Sequence, residues 1–129
     1  MNDLDLVLSS LADSRMMDRM MLRDIGERES NGIFIRQETV SGVYNVTVQD
    51  GTVFCDTSGG VATINLPTAV GVGGRIYLVC DKGNAAANNV TVTPQGGETI
   101  SGAGSYVISS NYGRVWLQSD GSDWYVIAT

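Results

Sequence analysis

The periodicity of the apolar residues changes near residue 40, and that change commits the chain to two unlike parts. Upstream, Leu4, Val7, Leu8 and Leu11 recur at i, i+3, i+4 and i+7, which is one face of a helix. Downstream, Tyr44, Val46 and Val48 alternate with Asn45, Thr47 and Gln49, the period of a half-buried strand. A helical attachment arm over 1–26 is therefore expected to join a β module over 43–129. A polar linker, 27–42, connects them and holds one short apolar strand, Ile33-Phe34-Ile35.

Asn2 or Asp3 is a suitable cap for the arm, and Gly26 suits the left-handed position that ends a helix. Carried forward at about 3.6 residues per turn, the leucine stripe runs into Arg15 and Asp18. Met16, Met17, Met20 and Met21 take over the apolar face. The stripe rotates either through a break near Ala12-Asp13-Ser14 or because two faces meet different partners. Thioether side chains fill irregular grooves, and a two-layer β unit has little room to cover such a helix. Leu4, Val7, Leu8, Leu11, Met16, Met17, Met20 and Met21 are accordingly read as a partner-binding surface, in preference to a helix packed on its own domain.

In the β module, Asp50-Gly51 is expected to turn the chain so that Val53-Phe54-Cys55 returns beside Tyr44 to Val48. Asp120-Gly121, between Arg114 to Gln118 and Trp124 to Ala128, is the strongest hairpin signal in the chain. Strands recur with turn residues between them at the spacing of a compact antiparallel β-sandwich or a barrel-like module. There is no exact internal repeat, so a solenoid is not expected. Ile64, Leu66, Ile76, Leu78, Val92, Val115, Leu117 and Val126 are the expected core. Ile76 to Cys80 and Trp124 to Ile127 are apolar on both faces, as in a central strand or one covered by a neighbouring subunit. A unit this small buries only about 60–70% of its unfolded surface, and a homotrimer would supply the missing burial.

Charge and composition exclude several classes. The net charge is −6 without a Lys/Arg run, so nucleic acid is not an expected ligand. No stretch approaches the ~20 apolar residues that span a bilayer, and the acidic start Met1-Asn2-Asp3-Leu4-Asp5 is unlike a signal peptide. Membrane insertion is not expected, and folding is expected in a cytoplasm. Cys55 and Cys80 then read as two small buried hydrophobes more readily than as a disulfide.

Catalytic patterns are missing. Histidine is absent, which removes the usual general base and metal ligand. Gly71-Val72-Gly73-Gly74 precedes a strand, whereas a phosphate loop follows one and opens a helix. Asp50, Asp56, Asp81, Glu98, Asp120 and Asp123 nearly all fall at turns, where the carboxylate bonds nearby backbone amides. The expectation is no enzyme, no cofactor and no metal. Asn45-Val46-Thr47 and Asn89-Val90-Thr91 match a glycosylation pattern, but in strands of a chain without a secretion signal they are chance matches.

The β region resembles a recurrent module of bacteriophage virion proteins: tail fibres, spikes and capsid fibres or decorations. The resemblance covers about two thirds of the chain, and its most specific parts are Ile64-Asn65-Leu66-Pro67, Gly96-Gly97-Glu98-Thr99-Ile100-Ser101-Gly102 and Leu117 to Ile127. It implies a homotrimer located in the virion, in contact with other virion proteins of capsid or tail, and a structural role. The chain has neither a long shaft nor several domains, so a capsid decoration or short head fibre fits better than a complete receptor-binding fibre. The alternative is a tail fibre or spike module that recognises a host-surface glycan. Trp116, Trp124, Tyr112 and Tyr125 are its candidate stacking residues, against the simpler state of buried strand aromatics.

Overall fold

The structure is a computed structural model that describes residues 34–129. The arm, with Leu4, Val7, Leu8, Leu11, Met16, Met17, Met20 and Met21, lies outside the described residues. The β unit itself runs Ile35–Thr129. Phe34 to Arg36 form no strand, and the first strand, β1, is Gln37–Val40, inside the stretch read as a linker.

Eight more strands follow: β2 Val43–Asn45, β3 Thr52–Cys55, β4 Ala62–Asn65, β5 Ile76–Asp81, β6 Val90–Thr93, β7 Tyr106–Ile108, β8 Arg114–Ser119 and β9 Trp124–Ala128. They build a five-stranded sheet in the order β1-β3-β5-β8-β9 and a four-stranded sheet in the order β2-β4-β6-β7. No helix occurs among the described residues. The mainly β, sandwich-like reading holds, but the antiparallel one does not. β1, β3 and β5 are parallel to one another, as are β2, β4 and β6, and only β5–β8, β8–β9 and β6–β7 are antiparallel.

The reason is the path of the chain. Parallel neighbours need a crossover between them, and here each crossover is itself a strand of the other sheet. The chain winds β1 to β2, β3 to β4 and β5 to β6 in three coils, then closes with β7, β8 and β9. The expectation of no solenoid-like winding is thereby corrected. Gln37 pairs with Thr52 and Thr52 with Leu78, so successive coils differ greatly in length and leave no repeat in the sequence. For the same reason Asp50-Gly51 does not make a hairpin: it carries the chain from one sheet to the other. Neither sheet closes into a barrel.

The core fills the space between the sheets. Ile64, Leu66, Val92, Val115 and Leu117 are buried as expected, and Val126 packs against them half-buried. Ile76 and Leu78 are on the other face. Tyr77, Val79 and Asp81 are the inward residues of β5, while Ile76 stays 40% exposed. A one-residue change of phase inverts every side chain of a strand, and a strand apolar on both faces gives no internal cue to its phase. Trp124 is fully buried, 5.4 Å from the Tyr77 ring, and its Nε1 donates to the Pro67 carbonyl at 3.2 Å.

Cys55 and Cys80 are both free. Phe54 pairs with Cys80 and Cys55 with Asp81, so the two thiols leave adjacent strands on opposite faces. Burial pushes the Cys55 thiol up to about 12. The Asp120-Gly121 hairpin forms as read. Asp120 Oδ1 accepts the Ser122 and Asp123 amides, each at 2.9 Å, and Gly121 takes φ +97°. Leu117→Ala, which opens a cavity where Leu117 is 0% exposed, should lower the unfolding free energy by about 2–5 kcal/mol. Urea titration measures it.

Candidate functional site

The registers align the strand ends, so the sandwich has two ends of different make-up. At the proximal end residue 35 leads into β1, beside the connections 46–51, 66–75, 94–105 and 120–123. At the distal end lie the connections 41–42, 56–61, 82–89 and 109–113. Each end is held by one buried aspartate.

Asp81 ends β5 in phase with Tyr77 and Val79, which turns its carboxylate inward among the distal loops. It accepts the Thr57 hydroxyl at 2.6 Å and the backbone amides of Gly83, Ala85 and Tyr112 at 2.9, 3.0 and 3.0 Å. Thr57 Oγ1 in turn accepts the Asn84 amide at 3.1 Å, and Asn88 Nδ2 donates to the Thr57 carbonyl at 2.7 Å. The Ala86 amide donates to Asn111 Oδ1 at 3.0 Å. Three loops distant in sequence are thus tied to one carboxylate. Burial alone would raise its pKa, but the Thr57 hydroxyl and the Tyr112, Ala85 and Gly83 amides hold it below the usual carboxylate range.

The network presents Tyr112. Its backbone sits at φ +62°, a left-handed conformation uncommon outside glycine, and its side chain is 72% exposed. The ring lies over Gly83, where a Cβ would come within 3.2 Å of the ring Cζ and Oη. At the same end a cleft of about 400 Å³ is lined by Ser41, Gly42, Asp56, Ser58, Gly59, Gly60 and Val61. Asp56 Oδ1 accepts the Ser58 hydroxyl at 2.6 Å and the Ser58 amide at 3.0 Å, which keep this exposed carboxylate ionised below its ordinary range. A second cleft, of about 240 Å³, includes Ser109, Ser110 and Arg114.

The proximal end is built on Asp50. The Tyr44 hydroxyl, the Thr47 amide and the Thr47 hydroxyl all donate to its Oδ2, at 2.8, 2.9 and 3.3 Å, while Arg36 Nε lies 3.9 Å from Oδ1. The Arg75 guanidinium donates to the Asp50 carbonyl and stacks 4.8 Å from the centre of the Tyr77 ring. Burial, then the Asp50 carboxylate, pushes the Tyr44 hydroxyl up to about 12. A Cβ at position 51 would collide with the Ile35 side chain and the Arg36 carbonyl, so Gly51 lets β1 lie beside β3.

Of the six carboxylates singled out in the sequence, Asp50, Asp56, Asp81 and Asp120 accept nearby backbone amides, whereas Asp123 accepts the distant Thr99 amide at 2.8 Å. Glu98 reaches across the chain to accept the Thr68 hydroxyl at 2.5 Å and the Ala69 amide at 2.7 Å. Asp50 and Asp81 are buried, and the alternation Tyr77-x-Val79-x-Asp81 is the sequence signal for the second. Of the four aromatic candidates, Trp124 is core, Trp116 is half-buried, Tyr125 is 43% exposed and Tyr112 stands free. Among the described residues no three His, Cys, Asp or Glu side chains gather as a metal site, and no helix is long and apolar enough to cross a membrane. The exposed Tyr112 ring is the group at this end on which an apolar face of a ligand can stack. Comparison with protein-family models and with curated proteins gave no match to this chain.

Asp81→Asn should lower stability at pH 7 by roughly 2–3 kcal/mol, since bonds to an ionised acceptor are lost. The folded pKa is depressed, so the contribution is complete above the unfolded value near ~3.9 and is lost as pH falls through the folded one. Denaturant titrations should find the gap between wild type and variant wide at pH 7 and shrinking below about pH 4.

Proposed function

We propose that this chain is a non-enzymatic bacteriophage virion structural protein, a homotrimeric capsid decoration or short head fibre. It attaches through its N-terminal segment, 1–26, and displays the β unit. The observation that carries this reading is the polarity of the sandwich. The chain joins the β unit at the proximal end, and the loops tied to Asp81, with the exposed Tyr112, occupy the opposite end. An attachment segment joined at residue 35 leaves those loops pointing away from the point of attachment. The apolar stripe of Leu4, Val7, Leu8, Leu11, Met16, Met17, Met20 and Met21 then serves as the anchor, because an apolar stripe of that length is unfavourable in water.

Deleting residues 1–25 should leave the far-ultraviolet circular dichroism of the β unit unchanged and abolish incorporation into the particle. Met17→Asp with Met21→Asp should act the same way, since an uncompensated buried carboxylate costs about 3–5 kcal/mol. Occupancy is read by electrophoresis of purified particles. Wild-type occupancy by the truncated chain would remove the arm as anchor.

Tyr112 favours a second reading, recognition of a host-surface glycan at the distal loops. Tyr112→Gly removes the ring while easing the left-handed backbone, so the fold should not suffer. Binding to host-surface polysaccharide should drop at least about tenfold, the loss of one aromatic contact of ~1.4 kcal/mol. Unchanged binding in a surface plasmon resonance titration would contradict this reading.

A further inference from the structure

We propose that the outer face of the five-stranded sheet is the surface through which copies of this chain meet. The inference rests on the homotrimer put forward above and names its interface. The register sets Leu78 directly opposite Trp116, with Phe54 on the next strand. Around them Ile76 and Tyr125 are 40% and 43% exposed, and Ile127, the unpaired residue at the irregularity between β8 and β9, is 48% exposed. The outer face of the four-stranded sheet is different. On its two central strands Thr63, Asn65, Thr91 and Thr93 face outward, and Asn65 Nδ2 donates to Oδ1 of the neighbouring Asn45 at 3.0 Å. Its apolar outward residues, Val43 and Val107, are confined to the edge strands. A sandwich solvated on both sides would carry polar residues on both outer faces. Here the central strands of the four-stranded sheet are polar outward, whereas those of the five-stranded sheet carry Phe54, Ile76, Leu78 and Trp116 outward. Polar Thr52 and Gln118 lie among them, with Gln37 and Thr39 on the edge strand.

Charge selects the occupant. The chain carries 14 Asp and Glu against 8 Lys and Arg, so two copies repel when charged faces approach within the ~8–10 Å over which salt leaves charges unscreened. No outward position of β1, β3, β5, β8 or β9 is Asp or Glu. Asp120 stays in the hairpin at the rim, and Arg114 is the face's one formal charge, at its distal corner. A basic partner would be drawn to the acidic remainder of the surface. A face without carboxylates that carries Phe54, Trp116 and Tyr125 fits like-charged copies, gathered with these faces toward a common axis.

The test uses the full chain, with mass measured by sedimentation equilibrium from nanomolar to micromolar concentration. Wild type should be a trimer. Ile76→Glu with Ile127→Glu should weaken association at least tenfold with an unchanged circular dichroism spectrum, because both side chains are already part-exposed in the single chain. Val43→Glu with Val107→Glu, on the four-stranded sheet, should leave association intact. A wild-type monomer overturns the proposal, including the case where the Ile76 and Ile127 pair impairs only incorporation and so assigns the face to another virion protein. A trimer indifferent to that pair overturns the interface and leaves the threefold state standing. A dimer that the pair dissociates upholds the interface and overturns the threefold state.

Discussion

Everything in this fold follows from one constraint: each strand must put one face on a single shared core while the chain passes back and forth between two sheets. Strands β1, β3 and β5 can then pair only in parallel, because the returning strand always belongs to the other sheet. All the crossings are gathered at two ends. Crossing segments cannot satisfy their amides by pairing within a sheet, so buried side chains do it instead. Asp81 does this at the distal end and Asp50 at the proximal end. The two carboxylates are therefore structural pins, and the raised Tyr44 and lowered Asp81 titrations are the electrostatic trace of that role.

The same winding separates the surfaces that remain for function. Residue 35 enters β1 at one end, and the loops with Tyr112 are at the other. Between them lie two outer sheet faces, one polar on its central strands and one with Phe54, Ile76, Leu78 and Trp116 on them. The proposed display role would use this division, since anchoring, self-association and exposure to the surroundings compete for area on a small unit. Tyr112 illustrates how tightly the distal end is specified. Its left-handed backbone is held by a hydrogen bond from its amide to Asp81, and its ring lies on Gly83, where a Cβ would come within 3.2 Å of the ring.

Some of this could be read from the residues alone. The Asp120-Gly121 hairpin was plain because a two-sided strand pair and a turn dipeptide agree. The inward residues Ile64, Val92, Val115 and Leu117 were plain because each alternates with polar neighbours on the outer face or sits centrally in its strand. β5 was misread because Ile76 to Cys80 is apolar in both phases, and only Asp81 at the end distinguishes them. Asp50-Gly51 has hairpin chemistry yet serves a crossing, since turn dipeptides specify local backbone and not the sheet to which the next strand belongs. The parallel winding left no repeat because its crossings range from the two residues 41–42 to the long segment 66–75. Tyr112 was one of four aromatic candidates. What singled it out was its position in a loop held by a carboxylate distant in sequence.

The proposed function requires one polarity of the molecule on a virion. Electron cryomicroscopy of the native virion, at a resolution that traces strands, measures that directly. The expected reconstruction has residue 35 facing the particle surface, the Asp81 loops and Tyr112 outermost, and the five-stranded sheets turned toward one another about a threefold axis. A reconstruction with the distal loops buried against the particle and the proximal end outward would contradict it.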